Sequence, residues 1–197
     1  MEMLLRLSKF RFIFPKIQIL PTSNSLFSPR SYSYDELSHL NKKGEINMVD
    51  VGAKRVSKRY TKAVATINFG DSVFKSLTNN FNFTKKGNIF EVAKLSGIMA
   101  AKRTSELIPL CHSVPLDHVS IEVTPLPDSF SLRLTCEVTC ESKTGCEMEA
   151  LLGVNVACLA VYDMCKSLSH NICIERVQLV EKSGGKSGHF INNFGNS

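Results

Sequence analysis

The spacing of apolar and polar residues along the chain predicts an antiparallel sheet. Residues 60–69, 117–126, 130–141 and 172–181 alternate with a period of two, as half-buried strands do. The sequence Pro-Leu-Pro-Asp-Ser at 125–129 separates the second of these segments from the third, so the two form a hairpin. Both strands of this hairpin show one polar face.

Three further segments predict helices. Residues 71–77 predict a short helix that is capped by its first or second residue. Residues 89–108 place their apolar side chains on one side of a helix that Pro109 closes, and Gly97 within it indicates close helix packing. Residues 146–168 are apolar almost all round, so this helix should be buried between layers or in a subunit interface. The order β-α-α-β-β-α-β predicts an α+β fold, with helices packed on an antiparallel sheet.

Two segments without such periodicity flank the predicted elements. Residues 37–59 are polar and irregular, and they predict an extended arm along the surface. Residues 182–190, Lys-Ser-Gly-Gly-Lys-Ser-Gly-His-Phe, predict a mobile glycine-rich tail.

Positive charge is concentrated at the start of the chain. The formal net charge is +6, of which +4 falls in residues 1–34, so the remainder carries about +2. This first segment is rich in Arg, Lys and Ser, poor in acids, and its apolar residues are interrupted by cations, which is typical of a mitochondrial transit peptide rather than a secretory signal. A disordered basic tail is the alternative. We expect the transit peptide to be cleaved near residues 30–34 and the protein to be located in the mitochondrial matrix. The remaining chain would then consist of a domain at 35–190 and a C-terminal tail at 191–197.

Composition narrows the class of protein further. A chain of 197 residues with 43% hydrophobic content supports one core, and no stretch approaches the roughly 18 uninterrupted apolar residues of a membrane span. Seven cysteines in an intracellular chain predict reduced thiols. The cluster Cys136, Cys140 and Cys146 lacks the paired spacing of a zinc site, so we expect no metal there.

The apolar helix at 146–168 carries a few polar residues that need an explanation. Glu149, Asn155, Asp163 and Lys166 share about one third of its circumference at 100° per residue. Glu149 and Asp163 nevertheless lie about 21 Å apart along the axis, too far to reach the same reacting atoms in one chain. An antiparallel two-fold partner would bring Glu149 of one chain toward Asp163 of the other. An ordinary i,i+3 ion pair between Asp163 and Lys166 is the structural alternative.

Cations and glycines elsewhere indicate an anionic ligand. Glycines expose backbone N–H groups to a phosphate and lysines neutralise it, although the pattern of a P-loop is absent. The cations concerned are Lys85, Lys86, Lys102, Arg103, His112, Lys182 and Lys186.

Five segments occur in order and together resemble the cyclic pyranopterin monophosphate synthase family of molybdenum cofactor synthesis. They are MVDVGAK at 48–54, SGIMAAKRTSELIPLCH at 96–112, TGCEMEAL at 144–151, VYDMCK at 161–166 and EKSGGKSG at 181–188. The resemblance covers essentially all of residues 37–190. It implies a ferredoxin-like α+β subunit, a hexamer of three dimers with active sites between subunits, and a substrate supplied by a separate radical enzyme. The implied reaction converts 3′,8-cyclo-7,8-dihydroguanosine triphosphate into cyclic pyranopterin monophosphate and diphosphate.

The resemblance also implies roles for particular residues. The implied catalytic residues are Asp163, Lys166, Lys86, His112 and Lys182, and the implied substrate-binding residues are Leu110, Cys111, His112, Glu147, Met148, Glu149, Arg59 and Lys186. Asp163 would move protons with its pKa tuned by Lys166, the lysines and Arg59 would hold the triphosphate, and Glu149 would accept hydrogen bonds from the guanine N–H groups. No cofactor is expected to be required, while a divalent cation such as Mg²⁺ remains compatible with the triphosphate.

The sequence departs from the family pattern at a few positions. They are Ser113-Val114-Pro115 after His112, where a proline is expected directly, Leu152 and Asn155 in place of Thr and Ser, and Asn88 in place of Asp. None of these changes removes a group with an implied chemical role. An inert subunit that kept the fold is the main alternative, which the intact catalytic set disfavours. A nucleic-acid-binding module is disfavoured by the nearly balanced charge of the domain.

Overall fold

The computed structural model describes residues 38–192, apart from Lys42, residues 80–82 and residues 85–86. The predicted transit peptide at 1–34 and most of the predicted tail at 191–197 lie outside the described residues. The described residues belong to one compact unit that begins at Leu37.

A five-stranded antiparallel sheet forms one layer of the fold. In chain order the strands of the structure are β1 (Ser57–Asn68), β2 (Phe83–Thr84), β3 (Gly87–Asn88), β4 (Leu116–Leu126), β5 (Ser131–Ser142), β6 (Cys173–Ser183) and β7 (Phe190–Ile191). The large sheet has the order β4-β5-β1-β6-β7, and β2 pairs with β3 in a separate hairpin. All of its strand pairs are antiparallel. The predicted α+β class and all four predicted long strands are confirmed.

The glycine-rich segment after β6 differs from the prediction of a mobile tail. The chain turns back and β7 pairs with the end of β6, with Lys182 opposite Phe190. Gly184, Gly185 and Gly188 all have positive φ angles, which a glycine adopts without a steric penalty. The glycines therefore build a turn of defined shape.

The helices are α1 (Asp71–Asn79), α2 (Ile89–Lys102), α3 (Thr104–Leu107) and α4 (Glu147–Cys165). The predicted continuous helix at 89–108 was wrong, because the chain leaves helical geometry at Arg103. The Thr104 hydroxyl donates to the carbonyl of Ala101 at 3.0 Å and so competes with the backbone bonds that would continue the helix.

Asn88 is the N-cap of α2. Its side-chain oxygen accepts hydrogen bonds from the backbone N–H groups of Phe90 and Glu91, at 2.9 and 3.2 Å. Asn and Asp are equally good N-caps, so the replacement of the family's aspartate keeps the helix start intact.

The core lies between the sheet and the helices α1, α2 and α4. Helices α2 and α4 approach closely where glycines face each other, as a Cβ on Gly97 would lie 2.9 Å from the carbonyl oxygen of Gly153. The same Cβ would lie 2.8 Å from Cδ1 of Ile121 on β4. The close packing predicted from Gly97 is therefore confirmed.

Helix α4 is buried on its sheet side but not on its whole circumference. It is long and apolar enough to cross a membrane by length and composition alone, yet half of its most apolar window is buried within the fold. Val154, Ala157 and Val161 belong to the core cluster and are fully buried. Met148 and Leu159 remain exposed on its outer side, as do Leu95 and Met99 on α2. The two helices thus present an apolar surface within the single chain.

Candidate functional site

Two adjoining cavities lie at the end of the fold where α4 begins. Ser38, Lys54, Thr144, Gly145 and Glu147 line both of them. The walls come from the arm before β1, the loop between β5 and α4, and the first turn of α4. The positive end of the α4 helix dipole is therefore directed at this region.

The smaller cavity, of about 250 Å³, gathers six of the predicted substrate-binding residues. It lies between the arm, the segment after α3 and the start of α4. The predicted residues that line it are Leu110, Cys111, His112, Glu147, Met148 and Glu149. The ring Nε2 of His112 lies 2.8 Å from the carbonyl oxygen of Val49 in the arm. Because a carbonyl only accepts, Nε2 carries the proton there and Nδ1 is the acceptor of the neutral ring.

The larger cavity, of about 890 Å³, is strongly basic. Six cationic side chains line it, namely Lys54, Arg55, Arg59, Lys143, Lys182 and Lys186, and Glu147 is the one carboxylate among its lining residues. Its size is within the range of small-molecule sites. Four residues of the predicted site line this cavity together, namely Arg59, Glu147, Lys182 and Lys186.

Glu147 and Lys182 join the two cavities. The Lys182 ammonium and the Glu147 carboxylate form an ion pair at 2.9 Å, with each side chain 31% exposed. Lys182 lies on β6 opposite Thr61 of β1, whereas Glu147 begins α4. The pairing therefore ties the sheet to the helix start at the boundary between the basic cavity and the cavity that contains Glu149.

Arg59 supports the glycine turn at the rim of the basic cavity. Its Nη1 donates to the carbonyl of Gly184 at 3.1 Å, and its Nη2 donates to the carbonyl of Lys143 at 3.4 Å. Within the described part of the chain, Nε of Arg59 and Oγ of Ser57 are buried without a hydrogen-bond partner. Buried polar groups of this kind are usually satisfied, so a bound anion would complete their hydrogen bonding.

Burial sets the electrostatics of the smaller cavity. The Glu149 side chain is on the first turn of α4 and only 4% exposed, and burial raises the pKa of its carboxyl group. Its own backbone N–H opposes that shift, and the nearby Glu147 carboxylate reinforces it. Burial and the charge of Glu149 likewise raise the pKa of the Cys111 thiol. This cavity therefore holds a carboxyl group that takes up a proton more readily than an exposed glutamate.

Two thiols lie next to Thr61, a residue that lines the basic cavity. Cys146, at the start of α4, donates to Oγ1 of Thr61 at 3.4 Å, and Cys140 of β5 hydrogen-bonds to Cys146. Both cysteines are almost completely buried. Over residues 38–192, excluding the gaps named above, no group of three or more His, Cys, Asp or Glu side chains is placed to hold a metal ion.

Asp163 and Lys166 lie apart from both cavities of the single chain. They form an ion pair at 2.7 Å near the other end of α4, with side chains 57% and 52% exposed. The hydrogen bond to Asp163 raises the pKa of Lys166. Glu149, at the start of the predicted polar stripe, is buried, whereas Asp163 at its other end is exposed in the single chain. Lys86 lies outside the described residues, so its predicted role stays a prediction, as do the chemical roles of the others.

Sequence reasoning missed several residues of the basic cavity. Lys54, Arg55 and Lys143 were not assigned to the site, although all three line it. Lys54 ends the MVDVGAK segment and Lys143 precedes Thr144-Gly145, so the juxtaposition of a cation with a turn was the available signal. The arm that carries Lys54 and Arg55 was interpreted only as a surface segment.

The fold and cavities define an α+β protein with a site suited to a phosphorylated small molecule. The profile of the MoaC family matches residues 48–185. The chain is 43% identical over 157 residues to the cyclic pyranopterin monophosphate synthase of Desulfatibacillum aliphaticivorans, covering 80% of this chain and 98% of that protein. It is 41% identical over 156 residues to the protein of that name from Helicobacter hepaticus, covering 79% and 97%. This chain belongs to the MoaC family.

A longer relative is also similar. Over 165 residues the chain is 47% identical to molybdenum cofactor biosynthesis protein 1 of Drosophila melanogaster. The match covers 84% of this chain but spans only 28% of the length of the fly protein.

Proposed function

We propose that this chain is a cyclic pyranopterin monophosphate synthase, an enzyme of an early step in molybdenum cofactor biosynthesis. It converts (8S)-3′,8-cyclo-7,8-dihydroguanosine 5′-triphosphate into cyclic pyranopterin monophosphate and diphosphate. The observation that carries the proposal is the six-cation cavity joined at Glu147 to the cavity that holds Glu149. A triphosphate and a hydrogen-bonding purine ring need such a pair of neighbouring environments. The names of the two bacterial relatives, which match almost over their full lengths, support it.

The basic cavity accounts for the phosphate chemistry. Lys182, Lys186 and Arg59 hold the triphosphate and stabilise the charge that develops as diphosphate leaves. The start of α4 adds its dipole to this potential. The smaller cavity then receives the purine ring, where Glu149 accepts hydrogen bonds from ring N–H groups and His112 presents Nδ1 as an acceptor.

The catalytic aspartate reaches this site from another subunit in our proposal. Glu149 and Asp163 are 14 residues apart on α4, about 21 Å, so one chain does not bring them to the same atoms. A partner related by a two-fold axis supplies Asp163 and Lys166, and the exposed apolar side chains on α2 and α4 favour such an assembly. We propose a hexamer built as a trimer of dimers.

The proposal includes a location in the cell and a source of the substrate. Residues 1–34 direct the chain to the mitochondrial matrix, and a separate radical enzyme there supplies the substrate. The reaction needs no organic cofactor, and any divalent cation arrives with the triphosphate. Addition of EDTA, followed by Mg²⁺, tests this last point by whether the rate falls and recovers.

The first experiment incubates the full-length chain with the cyclised guanosine triphosphate and follows diphosphate and pterin formation. Asp163→Ala is expected to abolish both products. Asp71→Ala is the matched control, because Asp71 also forms an exposed ion pair one turn away on a helix, with Lys75 at 2.7 Å. A folded parent that forms no product would support the inert-subunit alternative. An active Asp163→Ala variant would be consistent with the proposed function but would show that Asp163 is not required for catalysis.

A mixing experiment tests the shared site. Asp163→Ala and Glu149→Gln variants, each inactive alone, are unfolded together and refolded as mixed oligomers. If each site takes Glu149 from one chain and Asp163 from another, about a quarter of the sites in a random mixture are intact and activity returns to about that level. A mixture that stays inactive, or an active monomer in analytical ultracentrifugation, would exclude the shared site.

A further inference from the structure

Within the arm before β1, residues 49–55 form a wall of both cavities and belong to no helix or strand. Val49, Val51 and Lys54 line the smaller cavity, and Lys54 and Arg55 line the basic one. The segment from Gly52 to Val56 is exposed to solvent. Its position therefore depends on a small number of specific contacts with the rest of the fold.

Two side-chain hydrogen bonds from the body of the protein reach this arm among the described residues. His112 contacts the carbonyl of Val49, as described above, and the ammonium group of Lys143 donates to the carbonyl of Gly52 at 2.8 Å. The carboxylate of Asp50 accepts from the N–H of Gly52 at 2.7 Å, so the turn that presents this carbonyl is itself ordered. Lys143 thus fastens a preformed turn.

Lys143 is in turn held by the framework of the basic cavity. Its carbonyl accepts from Arg59, which also donates to Gly184 in the glycine turn. Hydrogen bonds therefore connect the arm to the Lys143 side chain, and the Lys143 backbone through Arg59 to the glycine turn. These hydrogen bonds link the backbone that carries Lys54 and Arg55 to the backbone of the glycine turn that carries Lys186.

We infer that Lys143 is a positioning residue that fastens the arm over the basic cavity and so holds Lys54 and Arg55 toward the triphosphate. This inference rests on the proposed function for the identity of the ligand. The fastening itself is a property of the free protein. Removing the ammonium group releases the arm, so the substrate must order the arm on binding. Because this ordering uses part of the binding free energy, KM rises.

The test compares Lys143→Met with Lys143→Arg and with Lys75→Met, which removes a solvent-exposed lysine on α1. Hydrogen exchange of the full-length protein without substrate is followed by mass spectrometry in the peptide spanning residues 45–57. Steady-state kinetics with the cyclised nucleotide give KM and kcat for the same variants. For Lys143→Met we expect exchange about tenfold faster, or about 1.4 kcal/mol of local stability, with KM raised about tenfold and kcat within about twofold. Lys143→Arg should restore most of both, and Lys75→Met should change neither.

Three results would overturn the inference. Unchanged exchange of the arm with a raised KM would show that Lys143 acts by direct contact with the substrate. A Lys143→Met protein with parental exchange and KM would show that the contact has no role. A fall in kcat alone would place Lys143 in the chemical step. An inactive parent would contradict the proposed function, while the exchange measurement would still decide whether Lys143 fastens the arm.

Discussion

Replacing Gly185 by alanine should disturb the site through Arg59, and Gly188 offers a control in the same turn. Both glycines have positive φ, +74° and +69°. A Cβ on Gly185 would collide with the guanidinium group of Arg59, whereas a Cβ on Gly188 would meet nothing within 4 Å. The two substitutions therefore share the backbone penalty and differ in the displacement of Arg59.

The magnitudes follow from these contacts. Left-handed backbone geometry destabilises an alanine by about 1–2 kcal/mol, and the lower conformational entropy of the unfolded chain stabilises the variant by about 0.4–1 kcal/mol. Gly188→Ala should therefore lower the free energy of unfolding by about 1 kcal/mol. In Gly185→Ala, Arg59 must also give up its bonds to the carbonyls of Gly184 and Lys143, at 3.1 and 3.4 Å. Hydrogen bonds from a charged donor contribute about 1.5–3 kcal/mol at best, and we assign about 1–2 kcal/mol to this long, partly exposed pair. The expected total for Gly185→Ala is about 2–3 kcal/mol.

Thermal and urea unfolding at a fixed protein concentration measure both losses, at about 2–4 °C of Tm per kcal/mol for a chain of this size. The kinetic assay should show a higher KM for Gly185→Ala than for Gly188→Ala. In an Arg59→Ala background the excess loss of Gly185→Ala should disappear, because the group that it displaces is gone. Equal losses for the two glycines, or an excess that persists without Arg59, would refute this reasoning.

Three other predictions test the core, the buried carboxyl group and the thiols. Gly97→Ala should destabilise the protein by about 1–2 kcal/mol in urea unfolding, because overpacking outweighs the gain in helix propensity, whereas Ser96→Ala in the same helix should not destabilise it. The raised pKa of Glu149 means that the folded state binds the extra proton, so parental stability should fall as pH rises above the ordinary value of 4.5. Glu149→Gln should therefore gain stability over the parent in that range and show no gain below it; a constant difference at all pH values would contradict the assignment. Iodoacetamide should alkylate the exposed Cys173 first and Cys111 slowly at pH 7, and the rate at Cys111 should rise with pH. Equal alkylation rates of the two thiols at pH 7 would contradict the raised pKa of Cys111.

Local patterns in the sequence were sufficient for the four long strands, the main helical segments and the α+β class. Period-two alternation located β1, β4, β5 and β6, because one face of each strand meets the core and the other does not. The turn at 125–129 was also sufficient to define the hairpin between β4 and β5. The break between α2 and α3 was missed because it has no periodic signature; the hydrogen bond from the Thr104 hydroxyl to the Ala101 carbonyl lies at this break.

The grouping of the site residues depended on more than local pattern. The family resemblance implied Leu110 to His112, Glu147 to Glu149 and Arg59 as site residues, whereas cations beside glycines were the pattern that indicated an anionic ligand. Only the folded chain shows that the arm closes over these groups with Lys54 and Arg55, because that contact joins residues about 90 positions apart, Gly52 and Lys143.

Burial was likewise decided by the tertiary structure. Helical spacing put Glu149 and Asp163 on one side of α4, and that geometry holds for any helix. Which of them is buried depends on what packs against each turn. Glu149 is buried beside the cavity that it lines together with the arm and the segment after α3, and burial raises its pKa, while the Asp163 end stays open to solvent in the single chain. The sequence determines the chemical groups and their spacing, and the packing of distant segments determines their charge and their partners.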